Sequence, residues 1–336
     1  MSTHGSQTIC ATIERNLEDS MGRTIRFTNR ADTFTQGYGE NNIELTLFLL
    51  GGNDVVELDR SDELGGGNWV DMGAGNDHLT SRAERGNVFL LGDGNDNYWG
   101  IMGDDGDVRR ADTVRGGAGN DFFLALTTQS RYSGGSGSDN FWSLGFKNRI
   151  DGGSGRDSVF FGVFDDSPGS RAVNVDLAAG TATRDGDNFE TLTSIEDVIG
   201  TNEDDRILGS AVGNRILGSE GVDTLTGRGG ADTFVWRTSD EAPTDEGGLE
   251  RITDFRSAQG DRIDVRRVDA NESSYDGNQA FAFIGYRGFT EKAGQLSAIR
   301  RGDDTVLRGD TDGDGIADFA IRLVGVSSLN RDDLVL

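Results

Sequence analysis

The sequence predicts an all-β chain: a parallel β-roll, or β-helix solenoid, of nonapeptide repeats, followed by a β-rich C-terminal domain. Three observations predict it. The segments G-G-A-G-N-D-F-F-L at Gly116, G-G-S-G-S-D-N-F-W at Gly134 and G-G-S-G-R-D-S-V-F at Gly152 start 18 residues apart, and each fits G-G-x-G-x-D-x-U-x with U apolar. The same phase runs back to residue 54. The composition, 51 Gly and 2 Pro in 336 residues, suits a repeat built on glycine turns rather than collagen or a proline-rich linker.

A turn of six residues followed by a strand of three makes half a coil, so a turn meets its like 18 residues later. One edge, edge A, carries Asp54, Asp77, Asp96, Asp121, Asp139 and Asp157 at position 6, each with Gly two residues earlier. The opposite edge, edge B, carries Asn68, Asn87, Asp112, Ser130 and Asn148. Steps from B to the next A are always 9 residues, whereas steps from A to B are 14, 10, 16, 9 and 9. Insertions therefore fall in edge B turns. Position 8 is Val56, Val70, Leu79, Phe89, Tyr98, Val114, Phe123, Tyr132, Phe141, Ile150 and Val159, an inward-facing apolar column in a chain that is 34% hydrophobic.

The turn residues are those a hard dication needs. Calcium takes six to eight oxygens from carboxylates and backbone carbonyls. Glycine lets the backbone bend so that carbonyls point at an ion, and Asp at position 6 adds a short anionic ligand. The candidate calcium ligands are Gly116, Gly117, Gly119 and Asp121; Gly134, Gly135, Gly137 and Asp139; Gly152, Gly153, Gly155 and Asp157; and, further back, Gly75 with Asp77 and Gly94 with Asp96. Edge B, poor in glycine, has no evident ion to hold.

Five segments follow. Residues 1–45 read as degenerate N-terminal coils capping the roll, with Ile25, Phe34 and Ile43 spaced by nine. Residues 46–160 are the roll. Residues 161–199 break the phase as a strand-rich connection, with Val173, Val175 and Leu177 alternating. Residues 200–235 form a second array with Asp205, Asn214, Asp223 and Asp232 at position 6 and Ile207, Ile216, Leu225 and Phe234 at position 8. Asp205 should stack over Asp223, and Asn214 over Asp232. Asp205, Asp223 and Asp232 are further, weaker metal candidates, since position 4 is Gly only in the last two copies. From residue 236 the nonads are expected to stop. There Thr305–Leu307 and the alternating Phe319, Ile321 and Leu323 predict a hairpin around Asp310, Asp312, Asp314, Gly315 and Asp318. This resembles the first half of an EF-hand loop, but position 12 is Ile321 and no helices flank it. It is either a calcium site through Asp310, Asp312 and Asp314 or an acidic turn.

The repeats resemble the repeats-in-toxin (RTX) calcium-binding family. Residues 227–336 resemble the C-terminal domain of the serralysin (peptidase M10) family. That likeness is carried by G-G-A-D-T-F-V-W at Gly229, I-T-D-F at Ile252, G-D-R-I-D at Gly260, F-A-F-I-G at Phe281, G-D-T-D-G-D-G-I-A-D-F at Gly309 and D-D-L-V-L at Asp332. The resemblance implies a β-roll with calcium in its turns. It also implies a secretion domain over 236–336, with Asp332, Asp333, Leu334, Val335 and Leu336 matching the signal read by type I (ABC-transporter) machinery. The expected location is extracellular or at the cell surface.

The same residues bound the function. A formal charge of 32 − 58 = −26 disfavours nucleic acid and anionic membranes as partners. Cys10 is alone, so no intramolecular disulfide forms; residues 1–20 show no cleaved export signal, and no apolar run spans a bilayer. Only His4 and His78 are present, without H-E-x-x-H, so the zinc protease site of serralysins is missing. His78, at position 7, should face solvent. The expectation is a non-enzymatic, secreted, calcium-dependent roll with a structural, adhesive or matrix role and a target in matrix, polysaccharide or cell surface. The alternative is an exoenzyme, or an accessory module of one, acting on extracellular polysaccharide.

Overall fold

The computed structural model describes residues 24–36, 44–58, 66–82, 86–101, 111–162, 171–244, 248–272 and 277–336. Ile43, Cys10, His4 and the longest edge B insertions lie outside them. The chain divides into two compact units, 1–157 and 158–336. The described residues are all-β, with three short 3-10 turns.

In the first unit the chain alternates between two parallel sheets, as a nine-residue half-coil demands. One sheet stacks Thr24–Arg26, Thr46–Phe48, Trp69–Asp71, Val88–Asp93, Thr113–Ala118, Arg131–Gly137 and Asn148–Gly155. The other stacks Thr33–Thr35, Val55–Leu58, His78–Ser81, Asn97–Gly100, Phe122–Ala125 and Asn140–Ser143. Register follows the position 8 residues: Val56 pairs with Leu79, Leu79 with Tyr98, Tyr98 with Phe123 and Phe123 with Phe141. On the facing sheet Val70, Phe89, Val114, Tyr132 and Ile150 stack in turn. All eleven predicted inward residues, including Val159 at the start of the second unit, are at most 2% exposed. The coils begin before residue 46: Ile25 pairs with Leu47 and Phe34 with Val56, both half-buried as end-coil residues.

His78 departs from its expectation. Its ring is half-buried, edge-on to Trp99 at 5.0 Å, with Nε2 3.0 Å from Thr80 Oγ1. Position 7 does point away from the core, but Trp99 in the next coil covers it.

In the second unit Asn174–Asp176, Arg206–Leu208 and Thr224–Thr226 form one parallel stack, and Ser158–Phe160, Asp197–Ile199, Arg215–Leu217 and Thr233–Val235 another. Val173 and Val175 are fully buried, while Leu177 is only half-buried. Asn174–Asp176 also pairs antiparallel with Thr181–Arg184, which pairs with Asp187–Thr193.

The nine-residue spacing stops at residue 236, but the stacking of coils continues beyond it. Glu250–Ile252 stacks on Thr224–Thr226, and Phe319–Leu323 stacks on Glu250–Ile252. Arg262–Asp264 stacks on Thr233–Val235, and Leu334–Val335 on Arg262–Asp264. Longer turns hide the nine-residue period without disturbing the strand register. The predicted hairpin is present and larger, an antiparallel meander of Gln295–Arg301, Asp304–Asp310 and Phe319–Leu323. The tail is part of the sheet: Leu334 is buried, and Asp333 caps the turn before it through the Asn330 N–H. No helix among the described residues is long and apolar enough to cross a membrane.

Phe123 measures how far the column carries stability, because it stacks on Phe141 at 4.6 Å and is fully buried. Phe123→Ala is expected to cost about 3–5 kcal/mol, against about 1 kcal/mol or less for Leu124→Ala on the outward side. Urea unfolding in the presence of calcium checks the difference.

Candidate metal centre

Edge A is built on one repeated hydrogen bond. The backbone N–H of each position 6 residue donates to Oδ1 of the aspartate one coil on: Asp32 to Asp54 (2.7 Å), Asp54 to Asp77 (2.7 Å), Asp77 to Asp96 (2.8 Å), Asp96 to Asp121 (2.9 Å), Asp121 to Asp139 (2.8 Å) and Asp139 to Asp157 (2.8 Å). From Asp54 to Asp157 every acceptor is at most 1% exposed. The second oxygens of Asp54, Asp77, Asp96, Asp121 and Asp139 are buried and have no hydrogen-bond partner. A buried carboxylate without compensation is costly.

Edge B makes the same rung mostly with amides, Asp112 being its buried carboxylate. Asn68 N–H donates to Asn87 Oδ1, Asn87 N–H to Asp112 Oδ1, and Ser130 N–H to Asn148 Oδ1. The amides then use their spare donors: Asn68 Nδ2 on Asn87 Oδ1, Asn87 Nδ2 on Asp112 Oδ1 and Asn148 Nδ2 on the Thr127 carbonyl, each at 2.9 Å. An amide closes the rung with protein atoms. A carboxylate has no donor to give.

The turn glycines divide by role. Positions 2 and 4 have positive φ, as at Gly135 (115°) and Gly137 (129°), which L side chains rarely adopt. Gly117, Gly119, Gly153, Gly155, Gly75 and Gly94 share that conformation. Position 1 does not, and its requirement is for space. A methyl on Gly116 would collide with Asp121 Oδ2 and the Gly134 carbonyl, and one on Gly134 with Asp139 Oδ2 and the Gly152 carbonyl. The unpaired oxygen thus lies in a cradle kept open by glycine, with a carbonyl of the next coil beside it. Buried anionic oxygen next to backbone carbonyl is the donor set a hard dication takes.

Burial pushes these carboxyls up, to about 6 for Asp54 and Asp96 and about 7 for Asp77 and Asp121. The rung N–H opposes the rise, and neighbouring carboxylates add to it. Asp139 is raised by the same burial.

The second array is uneven. Asp205 does stack over Asp223 (2.7 Å) and Asn214 over Asp232 (2.8 Å). Asp205, however, is already satisfied by the N–H groups of Val173 and Thr201 and the Thr201 hydroxyl, because threonine replaces glycine at position 2. Asp223 instead faces Glu250: its N–H donates to Glu250 Oε1 at 2.6 Å, and Asp223 Oδ2 and Glu250 Oε2 are both buried without partners. Burial and mutual repulsion raise this pair together. Glu250 and Asp261, which accepts from Asp232 N–H at 3.0 Å, continue the two ladders past the nonads. The signal for them was an acid two residues before a buried isoleucine, Ile252 or Ile263. A further ladder at position 5 also escaped notice: Asn53, Asn76, Asn95 and Asn120 each accept the N–H one coil on. The repeated Asn-Asp dipeptide marks it.

The hairpin is built differently. Asp310, Asp312 and Asp314 place one oxygen each within 4.8 Å of one another. Asp310, fully buried, accepts from Gly313 N–H (2.6 Å) and Gly315 N–H (3.1 Å), Asp312 from Asp314 N–H and Asp314 from Ile316 N–H. This acidic turn caps its own backbone through all three carboxylates.

A two-sheeted parallel roll with one edge of buried aspartates is a β-roll of the repeats-in-toxin type. The family model described as peptidase M10 serralysin C terminal matches residues 68–336, well over half of the chain, and the chain belongs to that family. No curated protein matches the sequence. Among solved structures, the crystal structure of the extracellular lipase LipA from Serratia marcescens is similar at 16% identity, covering 85% of this chain and 45% of the lipase, with a TM-score of 0.26. The chain thus spans less than half of that lipase, and so low a TM-score carries no weight.

The raised carboxyls set a pH dependence. An aspartate whose folded pKa exceeds its unfolded value near 3.8 stabilises the fold fully below that value and loses the contribution as pH rises through the folded one. In chelator, the β signal by circular dichroism is therefore expected to persist near pH 4–5 and to fall through about pH 6–7. A chelated chain more stable at pH 8 than at pH 5 would contradict the assignment.

Proposed function

We propose that the chain is a secreted, non-enzymatic calcium-binding roll, exported unfolded and folded by calcium outside the cell, with a structural, adhesive or matrix role. The observation that carries this reading is the row of buried edge A carboxylates, whose second oxygens from Asp54 to Asp139 accept no hydrogen bond, opposite an edge closed mostly by amides. Asp77, Asp96, Asp121, Asp139 and Asp157 would hold the ions, with carbonyls of the turn glycines completing the shell. Bound calcium supplies positive charge where burial and repulsion otherwise oppose folding, so binding energy becomes folding energy. Extracellular calcium modules work at about 10⁻⁴ to 10⁻³ M, a range that keeps the chain threadable inside the cell. Membership of the serralysin C-terminal family supports export by a type I transporter that reads residues 236–336. The missing H-E-x-x-H supports a role other than proteolysis.

Export is tested in a host carrying a type I transporter. Full-length protein is expected in the medium, and a form lacking residues 287–336 in the cells. Truncated protein appearing in the medium at the full-length level would show that the address lies elsewhere.

A further inference from the structure

We propose that the outward face of the C-terminal meander binds the carboxylate or sulfate groups of an acidic polysaccharide. Directly paired residues share a sheet face, and the register places Arg251 beside Arg322, Arg322 beside Val306, Arg308 beside both Ala320 and Ser297, and Arg301 beside Asp304. Ile252, Leu307, Ile321 and Leu323 are buried on the other side; on this one Val306, Ala320 and Ser297 are buried too, and it is Arg251, Arg301 and Arg322 that reach solvent. The face holds a groove of about 600 Å³ lined by Leu249, Arg301, Val306, Arg308, Ile316 and Ala320. A smaller cleft of about 270 Å³ adjoins it, lined by Leu249, Arg251, Arg301 and Arg322.

The charge pattern runs against the rest of the molecule. The chain has 58 acids to 32 Lys and Arg, yet among the described residues only Arg322 of these four pairs with a carboxylate, Asp304, at 2.6 Å. No ion pair is found there for Arg251, Arg301 or Arg308. Arg308 is half-buried, lies 5.0 Å over the Phe289 ring and donates to Ser297 Oγ at 3.3 Å, while its Nε is buried with no acceptor. Burial and the nearby Arg301 both disfavour its charge. An anion in the groove would relieve both.

The shape selects among anions. Guanidinium forks take carboxylate and sulfate oxygens in pairs, and the exposed Ile316 at the groove's edge offers an apolar surface for the C–H face of a sugar ring. Nucleic acid packs charge so densely, about one per 1.7 Å of duplex, that a chain of net charge −26 would repel it beyond the groove. A glycan with one or two anionic groups per repeat presents far less charge. This target deepens the adhesive reading and depends on it only for its biological use.

The test is calorimetric titration of the full calcium-loaded chain with a chondroitin sulfate hexasaccharide, alongside a neutral dextran oligosaccharide and a DNA duplex. Binding of the acidic sugar alone is expected, weakened at least tenfold in Arg301→Gln and Arg308→Gln. Arg300→Gln, on the opposite face over Tyr286, should bind normally. Asp245 and Glu246 adjoin the groove in sequence but lie outside the described residues, and Asp245→Asn/Glu246→Gln should bind at least as tightly. Circular dichroism with calcium confirms folding of each variant, so failure here leaves the calcium reading standing. Equal binding by wild type and the Arg301 and Arg308 variants, weaker binding by the acid-depleted variant, preference for DNA, or no binding of the hexasaccharide would overturn the proposal.

Discussion

One hydrogen bond, repeated at every coil, governs this molecule: the backbone N–H at position 6 donates to the carboxylate of the next coil. It sets the spacing of the coils and turns the carboxylate inward, where the apolar column excludes water. The same act leaves the second oxygen with nothing to bond. A roll only two strands thick has a narrow core, and its apolar contacts must offset both chain entropy and this row of unpaired charge. On the function proposed above, neutralising edge A is what lets the roll fold.

The two edges act as an internal control. They share a rung and a burial, and they differ in carboxylate against amide at every rung but Asp112 and Ser130. At edge B, Asn68 and Asn87 spend their extra donors along the ladder, and the turns tolerate long insertions. At edge A the turn length never varies, and glycine keeps Asp121 Oδ2 and Asp139 Oδ2 uncovered. Keeping a cradle open at a cost in stability makes physical sense if a cation fills it. The second unit retains one such pair, Asp223 with Glu250, while Thr201 has closed Asp205 with protein donors.

Much of this was legible in the sequence because a solenoid converts period into contact. Phe123 stacks on Phe141 for the reason that 18 residues separate them. Legibility failed where the period did. Glu250 and Asp261 sit 27 and 29 residues beyond their partners, so a nine-residue template passed over them although their rungs are intact. Position 1 glycine was readable, but its reason was not: only the structure shows a need for space rather than for a positive φ. Asp205 differs from Asp121 in sequence by lacking glycine at positions 2 and 4, but its donor from Val173, 32 residues away, could not be read there. The arginine face could not be read at all, because it depends on the register of antiparallel strands separated by variable loops.

On the function proposed above, edge A needs calcium because its rungs are carboxylates rather than amides. The most direct test replaces Asp77, Asp96, Asp121 and Asp139 together by asparagine and follows folding by circular dichroism against calcium at pH 7.5. Each new amide would donate to the Oδ1 of the next rung, as Asn68 does to Asn87. The wild-type chain is expected to gain its β signal only as calcium reaches about 10⁻⁴ to 10⁻³ M, and the asparagine variant to be folded already in chelator with little further response. A wild-type signal complete in chelator, or a variant that requires calcium at the same midpoint, would contradict the account.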